Sequence, residues 1–204
     1  MDTGVSVVGS GQVVAAPDLL RISFSVEHVA RDVSAAVAQI GEVTDAVIAA
    51  LVANGIERSA IGTTAVGIYQ EYHEHADGPA FRGSHMITAR TKDLNGFGRL
   101  LNAAVGAAGN DLGLHALEFD IEDKTELITQ ARALAFRQAR KKAEELAGLA
   151  GFSLGAVTAI SETHGFARAE GVALAAGKGF DSALNVVPGG QNVQVNLEVH
   201  FAWA

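Results

Sequence analysis

The sequence predicts an α+β fold, a mostly antiparallel sheet built from hairpins with three helices packed on it. Three observations predict it. Runs with an apolar residue at every second position outnumber helical segments, and most lie close enough in sequence to pair as hairpins. The last run is the clearest: Val193, Val195, Leu197, Val199, Phe201 and Trp203 alternate with Asn192, Gln194, Asn196, Glu198, His200 and Ala202. The third observation is a long amphipathic stretch, DKTELITQARALAFRQARKKAEELAGLAG, from Asp123 to Gly151.

Taken in order, the chain opens with a valine-rich strand from Val5 to Ala15, in which Gly9 and Gly11 suggest a bend or bulge. Pro17-Asp18 is a turn signal. Leu20, Ile22, Phe24 and Val26 then alternate with Arg21, Ser23, Ser25 and Glu27, so the two runs are expected to form a hairpin. Asp32 opens a helix with Val33, Val37, Ile40, Val47 and Leu51 on its apolar face, and Asn54-Gly55 stops it. Thr63 to His75 and Phe81 to Lys92 read as a second hairpin around Asp77-Gly78-Pro79. Asp93 caps a second helix with Leu94, Phe97, Leu101, Ala104 and Val105 inward, ended by Gly109-Asn110. Leu117, Phe119 and Ile121 mark a short strand leading into the long helix.

In that helix Asp123 and Glu126 have capping-box spacing. Leu127, Ala131, Leu134, Ala135, Leu146 and Leu149 are expected on the buried side, and Gly151 as a left-handed C-cap. Arg140 with Glu144 and Lys141 with Glu145 are i,i+4 pairs. Ala156 to Ser161 is a further strand. Thr163 to Gly190 is rich in Gly and Ala and long for a connection, so it is expected to be functional or mobile. The order is strand-strand-helix-strand-strand-helix-strand-helix-strand-strand. No repeat or composition break divides it, and residues 1–204 read as a single domain.

The 23 acidic against 15 basic residues give a net charge of -8, which argues against general nucleic-acid binding. The absence of cysteine removes disulfides and thiolate chemistry. The first residues, MDTGVSVVGSG, lack the basic region and apolar run of a signal peptide. No stretch reads as the roughly 18–20 apolar residues of a membrane span. A cytoplasmic location is therefore expected as the sequence stands, with export or a periplasmic location the alternative if a leader was trimmed.

Five stretches together resemble one family. VSVVGSGQVVAAPDLLRISFSVE has the form of an opening strand followed by Ala-Pro-Asp and an alternating strand. NGIERSAIGTT, TKDLNGFGRLLNAAVGAAGNDLGL, ARALAFRQARKKAEELAGLAGFSLGAVTAISE and NVVPGGQNVQVNLEVHFAWA follow in the family's order. The chain resembles the SIMPL-domain (DUF541) family, and within it the periplasmic immunogenic protein group. The resemblance implies the α+β fold, a link to stress tolerance and signalling, and symmetric oligomers in some members. It implies no catalytic residues and no cofactor.

Gly151-Phe152-Ser153-Leu154-Gly155 matches G-x-S-x-G literally, but a nucleophile elbow needs a strand before the serine and a helix after it. Here the order is reversed, so the glycines read as a C-cap and a turn. Gly177-Lys178-Gly179 is not a phosphate loop, because Val172 stands where the first glycine belongs and Gly179 where Ser or Thr belongs. Arg132, Arg137, Arg140, Lys141 and Lys142 are interleaved with Glu144 and Glu145 and read as a salt-bridged solvent face. Asp18, Glu118 and Asp120 have no spacing assignable to acid–base work. His73 and His75 would share one face of a strand with Glu71 beside them and His85 on the partner strand, the best metal-ligand set in the chain. A solvated hairpin end is the competing reading. The leading expectation is a non-enzymatic, homo-oligomeric scaffold or binding protein, stress- or envelope-related, assembling through sheet edges; the alternative is a metal- or small-molecule-binding protein using the His73/His75 hairpin. The final strand, ending at Trp203, is expected to leave such an edge.

Overall fold

A computed structural model describes residues 4–71, 79–163 and 186–204. The first half contains β1 (Gly4–Ala15), β2 (Leu19–Ala30), α1 (Val33–Ala53), β3 (Ile61–Glu71) and β4 (Ala80–Thr91). The second contains α2 (Phe97–Ala108), β5 (Leu112–Asp120), α3 (Thr125–Ala150), β6 (Leu154–Thr163) and β7 (Gln191–Trp203). The α+β class, the antiparallel pairing and the expected order of elements all hold. The Thr163–Gly190 stretch falls mostly outside the described residues.

The strands form two sheets, and the chain divides into two compact units. One unit holds the sheet β1-β7-β6 with α3 on one face. The other holds the sheet β3-β4-β2-β5 with α1 and α2. The hairpin expected from the first two strands is therefore corrected. β1 pairs with β7 along its full length, from Gly4 opposite Ala202 to Ala15 opposite Gln191, while β2 lies between β4 and β5. The inward faces explain the separation. β1 offers Val7, Gly9, Gly11 and Val13, a thin face, whereas β2 offers Leu20, Ile22, Phe24 and Val26, all fully buried in a thick core. Each needs a different distance to its covering helix.

The glycines of β1 set that distance in the first unit. The β1–β7 register runs through Gly9 and Gly11 without a shift, so neither marks a bulge, contrary to expectation. A Cβ at Gly9 would run into the Ala135 carbonyl oxygen and come within 2.7 Å of the Ala139 nitrogen. At Gly11 it would meet the Ala131 carbonyl oxygen and the Ala135 nitrogen. The helix backbone thus lies directly on the strand backbone, and only methyl-sized side chains fit beneath it. The buried residues of α3 are Ala131, Ala135, Ala139, Ala143 and Ala147, one i,i+4 row. The leucines expected on that side are displaced: Leu134 and Leu146 are exposed, and Leu149 is 86% exposed.

The ends of α3 follow the sequence more closely. Asp123 Oδ1 accepts the Thr125 N–H at 2.9 Å just outside the helix, although the Glu126 carboxylate receives the Gln130 amide instead of closing a capping box. Gly151 has φ +75°, and Phe152 N–H returns to the Ala147 carbonyl at 2.9 Å. Phe152 then stacks on Trp203 with ring centroids 5.0 Å apart. β7 is the middle strand of its sheet, so the edge expected at Trp203 is not there; β1 and β6 are the edges.

In the second unit, Asp32 caps α1 through the Ala35 N–H at 2.9 Å. Ala36, Ile40, Thr44, Val47 and Leu51 face the sheet, while Val33 and Val37 are exposed. By length and composition α1 passes as a membrane-span candidate, which the sequence reading did not count. Its packing on β2, β4 and α2 accounts for that apolar character within the fold. α2 buries Phe97, Leu100 and Ala104, with Asp93 accepting the Asn95 N–H and pairing with Arg99. The β3–β4 hairpin forms as expected.

Two outcomes follow from the first unit. Gly9→Ala or Gly11→Ala sets a methyl against helix backbone and should cost about 3 kcal/mol or more, at the upper end for overpacking. Gly41→Ala on α1 has open space and should gain roughly 0.5–1 kcal/mol. Urea unfolding of the three variants checks both signs. Asp123 is held below its ordinary value of 3.8, chiefly by the Thr125 side chain and then its N–H. Its contribution is therefore complete above 3.8 and is lost as pH falls through the lower folded value. The stability gap between the native protein and Asp123→Ala should be flat at neutral pH and close in acid.

Candidate functional site

One cluster of ion-pair residues in the second unit lies on the β3–β4 pair and its β2 neighbour. The registers place them. Tyr69 is opposite Arg82, Glu71 opposite Ala80, and Arg82 in turn opposite Val29, two residues from Glu27. Alternation puts Tyr69, Glu71, Arg82 and Glu27 on one face of this sheet. Helices α1 and α2 cover the opposite face, where Ile22, Phe24 and Ile87 are buried.

Arg82 lies between two carboxylates. Its Nε donates to Glu71 Oε1, and its Nη1 donates to Glu27 Oε2 at 3.0 Å. The Glu71 hydrogen bond, more than any other influence, raises the guanidinium above its ordinary value, with Glu27 adding to it and partial burial opposing. This is a fork geometry suited to two acceptors, which a lysine would not reproduce. Tyr69 folds back over Gly67, where a Cβ would lie 2.7 Å from the phenol ring.

His85 is on the other face. Its Nδ1 is 2.9 Å from Thr44 Oγ1 on α1, and Thr44 is only 2% exposed. His85 stands opposite Val66, five residues along β3 from Glu71, about 17 Å at ordinary strand rise. The structure therefore does not bring Glu71 and His85 together: they point to opposite faces, and Glu71 is engaged by Arg82. His73 and His75 lie outside the described residues. Among the described residues there is no group of three or more His, Asp or Glu side chains placed to hold a metal.

The remaining candidates resolve into structural roles. Ser153 sits in the turn between α3 and β6, where its carbonyl accepts the Ala204 N–H at 2.9 Å. Arg132 makes a forked pair with Glu162 at 2.8 and 3.0 Å, and Arg140 pairs with Glu144 at 3.0 Å. Lys142 donates to the Val8 carbonyl at 2.8 Å. Asp120 pairs with Arg21 at 3.4 Å, and the Asp18 N–H donates to the Asp120 carbonyl. The residues 176–179 lie outside the described residues. Sequence reasoning missed Arg82 and Glu27, whose signal was available: like-faced charges on neighbouring alternating strands.

Arg82→Ala would leave Glu27 and Glu71 facing each other. At these exposures the cost should be about 1 kcal/mol near neutral pH, shrinking with added salt. Chemical denaturation across a salt series measures the trend.

Among curated relatives, the 26 kDa periplasmic immunogenic protein of Brucella melitensis is 29% identical over 166 residues, covering 78% of this chain and 66% of its own length. The Brucella abortus protein of the same description gives the same identity and coverage. An uncharacterized protein, YggE, from Edwardsiella ictaluri is 26% identical over 156 residues, covering 74% of this chain and 64% of that one. The chain thus spans somewhat under two thirds of these relatives' length. A crystal structure of AtUAH in complex with glyoxylate covers 65% of this chain and 34% of its own at 17% identity; its TM-score of 0.23 is too low to speak for fold or chemistry. The Brucella names overturn the expectation of cytoplasmic retention and favour export. Residues 5–201 match the SIMPL family, described as a protein of unknown function (DUF541), and the chain belongs to that family.

Proposed function

We propose that this chain is a non-enzymatic binding scaffold that works outside the cytoplasm, in envelope or stress physiology, as a homo-oligomer assembled through its sheet edges. The observation that carries the reading is the division of labour between polar side chains and strand edges. Polar side chains of the candidate sites are engaged within the chain: Arg82 with Glu71 and Glu27, Arg132 with Glu162, His85 with Thr44. Such pairs stiffen a surface without presenting a nucleophile and its base to a substrate. Among the described residues, by contrast, the sheets end in the edge strands β1, β6, β3 and β5, and strand edges are interaction surfaces by default. The periplasmic description of the Brucella relatives supports the location, and residues 1–204 are read here as one functional module.

Native mass spectrometry of the untagged protein tests the reading. A discrete multiple of the 21.1 kDa chain without added mass is the expected result. A monomer at micromolar concentration would overturn it. A monomer carrying the mass of a divalent metal would move the centre of function to His73 and His75.

A further inference from the structure

We propose that the face of the β3-β4-β2-β5 sheet opposite its helices binds a chain of neutral pyranose sugars, with Tyr69 as the stacking platform. The inference rests on the binding reading above and names its surface and ligand class.

Tyr69 lies down on the sheet. Same-face positions two residues apart are about 6.6 Å apart along a strand. Yet the tyrosine hydroxyl and Cε2 come within 2.7 Å of the place a Gly67 Cβ would take. Only a phenol extended along β3 spans that distance, and glycine at 67 leaves the room beneath it. Tyr69 is still 62% exposed, so a broad aromatic surface is open to solvent. Opposite it in register, Arg82 is held by Glu71 and Glu27. Those two bonds leave further guanidinium N–H donors at a fixed position, and the Glu27 carboxylate, 42% exposed, offers an acceptor. A sugar ring needs this combination. Its C–H face packs on the electron-rich face of the phenol, and its hydroxyls, each donor and acceptor, bond to the charged groups beside it.

The floor of the face continues the site. Ser84, Ser25, Ser23 and Thr88 follow on the same side of β4 and β2, all partly exposed, with the Ser23 and Thr88 hydroxyls 3.3 Å apart. Apart from Met86 the β2 and β4 side chains here are short, which makes a shallow hydroxyl-lined trough. At its far end Arg21 stands opposite Arg90 and Glu118 and pairs with Asp120 at 3.4 Å. The Arg21 Nε is buried without an acceptor among the described residues, a donor open to a bound hydroxyl. Arg82 and Arg90, eight residues apart on β4, set the ends about 26 Å apart.

Chemistry selects the occupant. β2 and β4 are paired on both sides, so the trough floor presents side chains and no free backbone ladder to an added peptide strand. A net charge of -8 repels phosphate-bearing chains, and Arg82 is already matched by two carboxylates. A cation over the ring would meet the guanidinium. The ligand that fits is uncharged, with apolar ring faces and many hydroxyls. It is also a polymer, because one sugar on an open face buries too little of itself to be held.

Amide NMR titration of the full chain with glucose, cellohexaose, maltohexaose and chitohexaose tests the site. At millimolar concentration at least one hexasaccharide should move the signals of Gly67, Tyr69, Arg82 and Ser84, equally at low and high salt, while glucose moves none. Tyr69→Ala should weaken that binding about tenfold or more, the scale of one lost aromatic contact, and Tyr69→Phe should keep it. Phe152→Ala, which removes a different exposed ring, should bind as the native chain does. Binding by none of the three hexasaccharides, or binding that survives Tyr69→Ala, overturns the glycan site; a discrete oligomer in native mass spectrometry would then leave the scaffold reading standing. A monomer that binds through Tyr69 overturns the assembly and upholds the site.

Discussion

The first unit depends on the contact between two glycines and a row of alanines. Gly9 and Gly11 let the backbone of β1 touch the backbone of α3, and the helix meets them with Ala131, Ala135 and Ala139. At that separation there is no volume for a branched side chain between the layers. The consequences spread outward. β1 is committed to the sheet that α3 covers, so it cannot pair with β2, its neighbour in sequence. β7 then supplies the other strand surface, with Val195, Leu197, Val199 and Phe201 giving the bulk that β1 lacks. The long helix is anchored to that strand edge as well as to its face, through Lys142 on the Val8 carbonyl and Gln138 on the Ser10 N–H.

The second unit solves the same layering problem with the opposite filling. Leu20, Ile22, Phe24, Val26 and Ile87 meet Val47 and Leu51 of α1 and Leu100 of α2, all fully buried. Large side chains hold the helices away from the sheet and supply most of the apolar burial that stabilises such a core. Polar side chains enter only where a partner is ready. Thr44 is the buried hydroxyl of α1 with His85 beside it, and a buried hydroxyl without a partner would be costly. The Arg82 guanidinium lies between Glu27 and Glu71 on the face opposite the helices, partly exposed.

How much of this was legible follows from the range of the interactions concerned. Local signals were legible. Asp32 at the start of α1, Gly151 at the end of α3 and the β3–β4 hairpin all follow from neighbours a few residues apart. The alternation of β7 named its buried face correctly. What escaped were quantities fixed by distant partners. Hydrophobic periodicity favoured the leucines of α3, because leucine is the more apolar residue; the close approach at Gly9 and Gly11, more than a hundred residues away, reserved the interface for alanine. The same long-range pairing placed β7 in the middle of its sheet, where sequence position alone suggested an edge. Glu71 and His85 looked like possible co-ligands because they lie on paired strands, but the register sends them to opposite faces.

The edges show where selection on a fold ends and selection on association begins. A buried strand is constrained by volume on its inner face and by its ladder on both sides. An edge strand has one ladder free, and what stands there is set by what it must attract or exclude. β1 illustrates exclusion: two α3 side chains reach past the layer they cover to occupy backbone groups on β1. β3 carries the other composition, with Val66, Ile68 and Tyr69 at 63%, 40% and 62% exposure, residue types that suit an extended backbone whichever face they stand on.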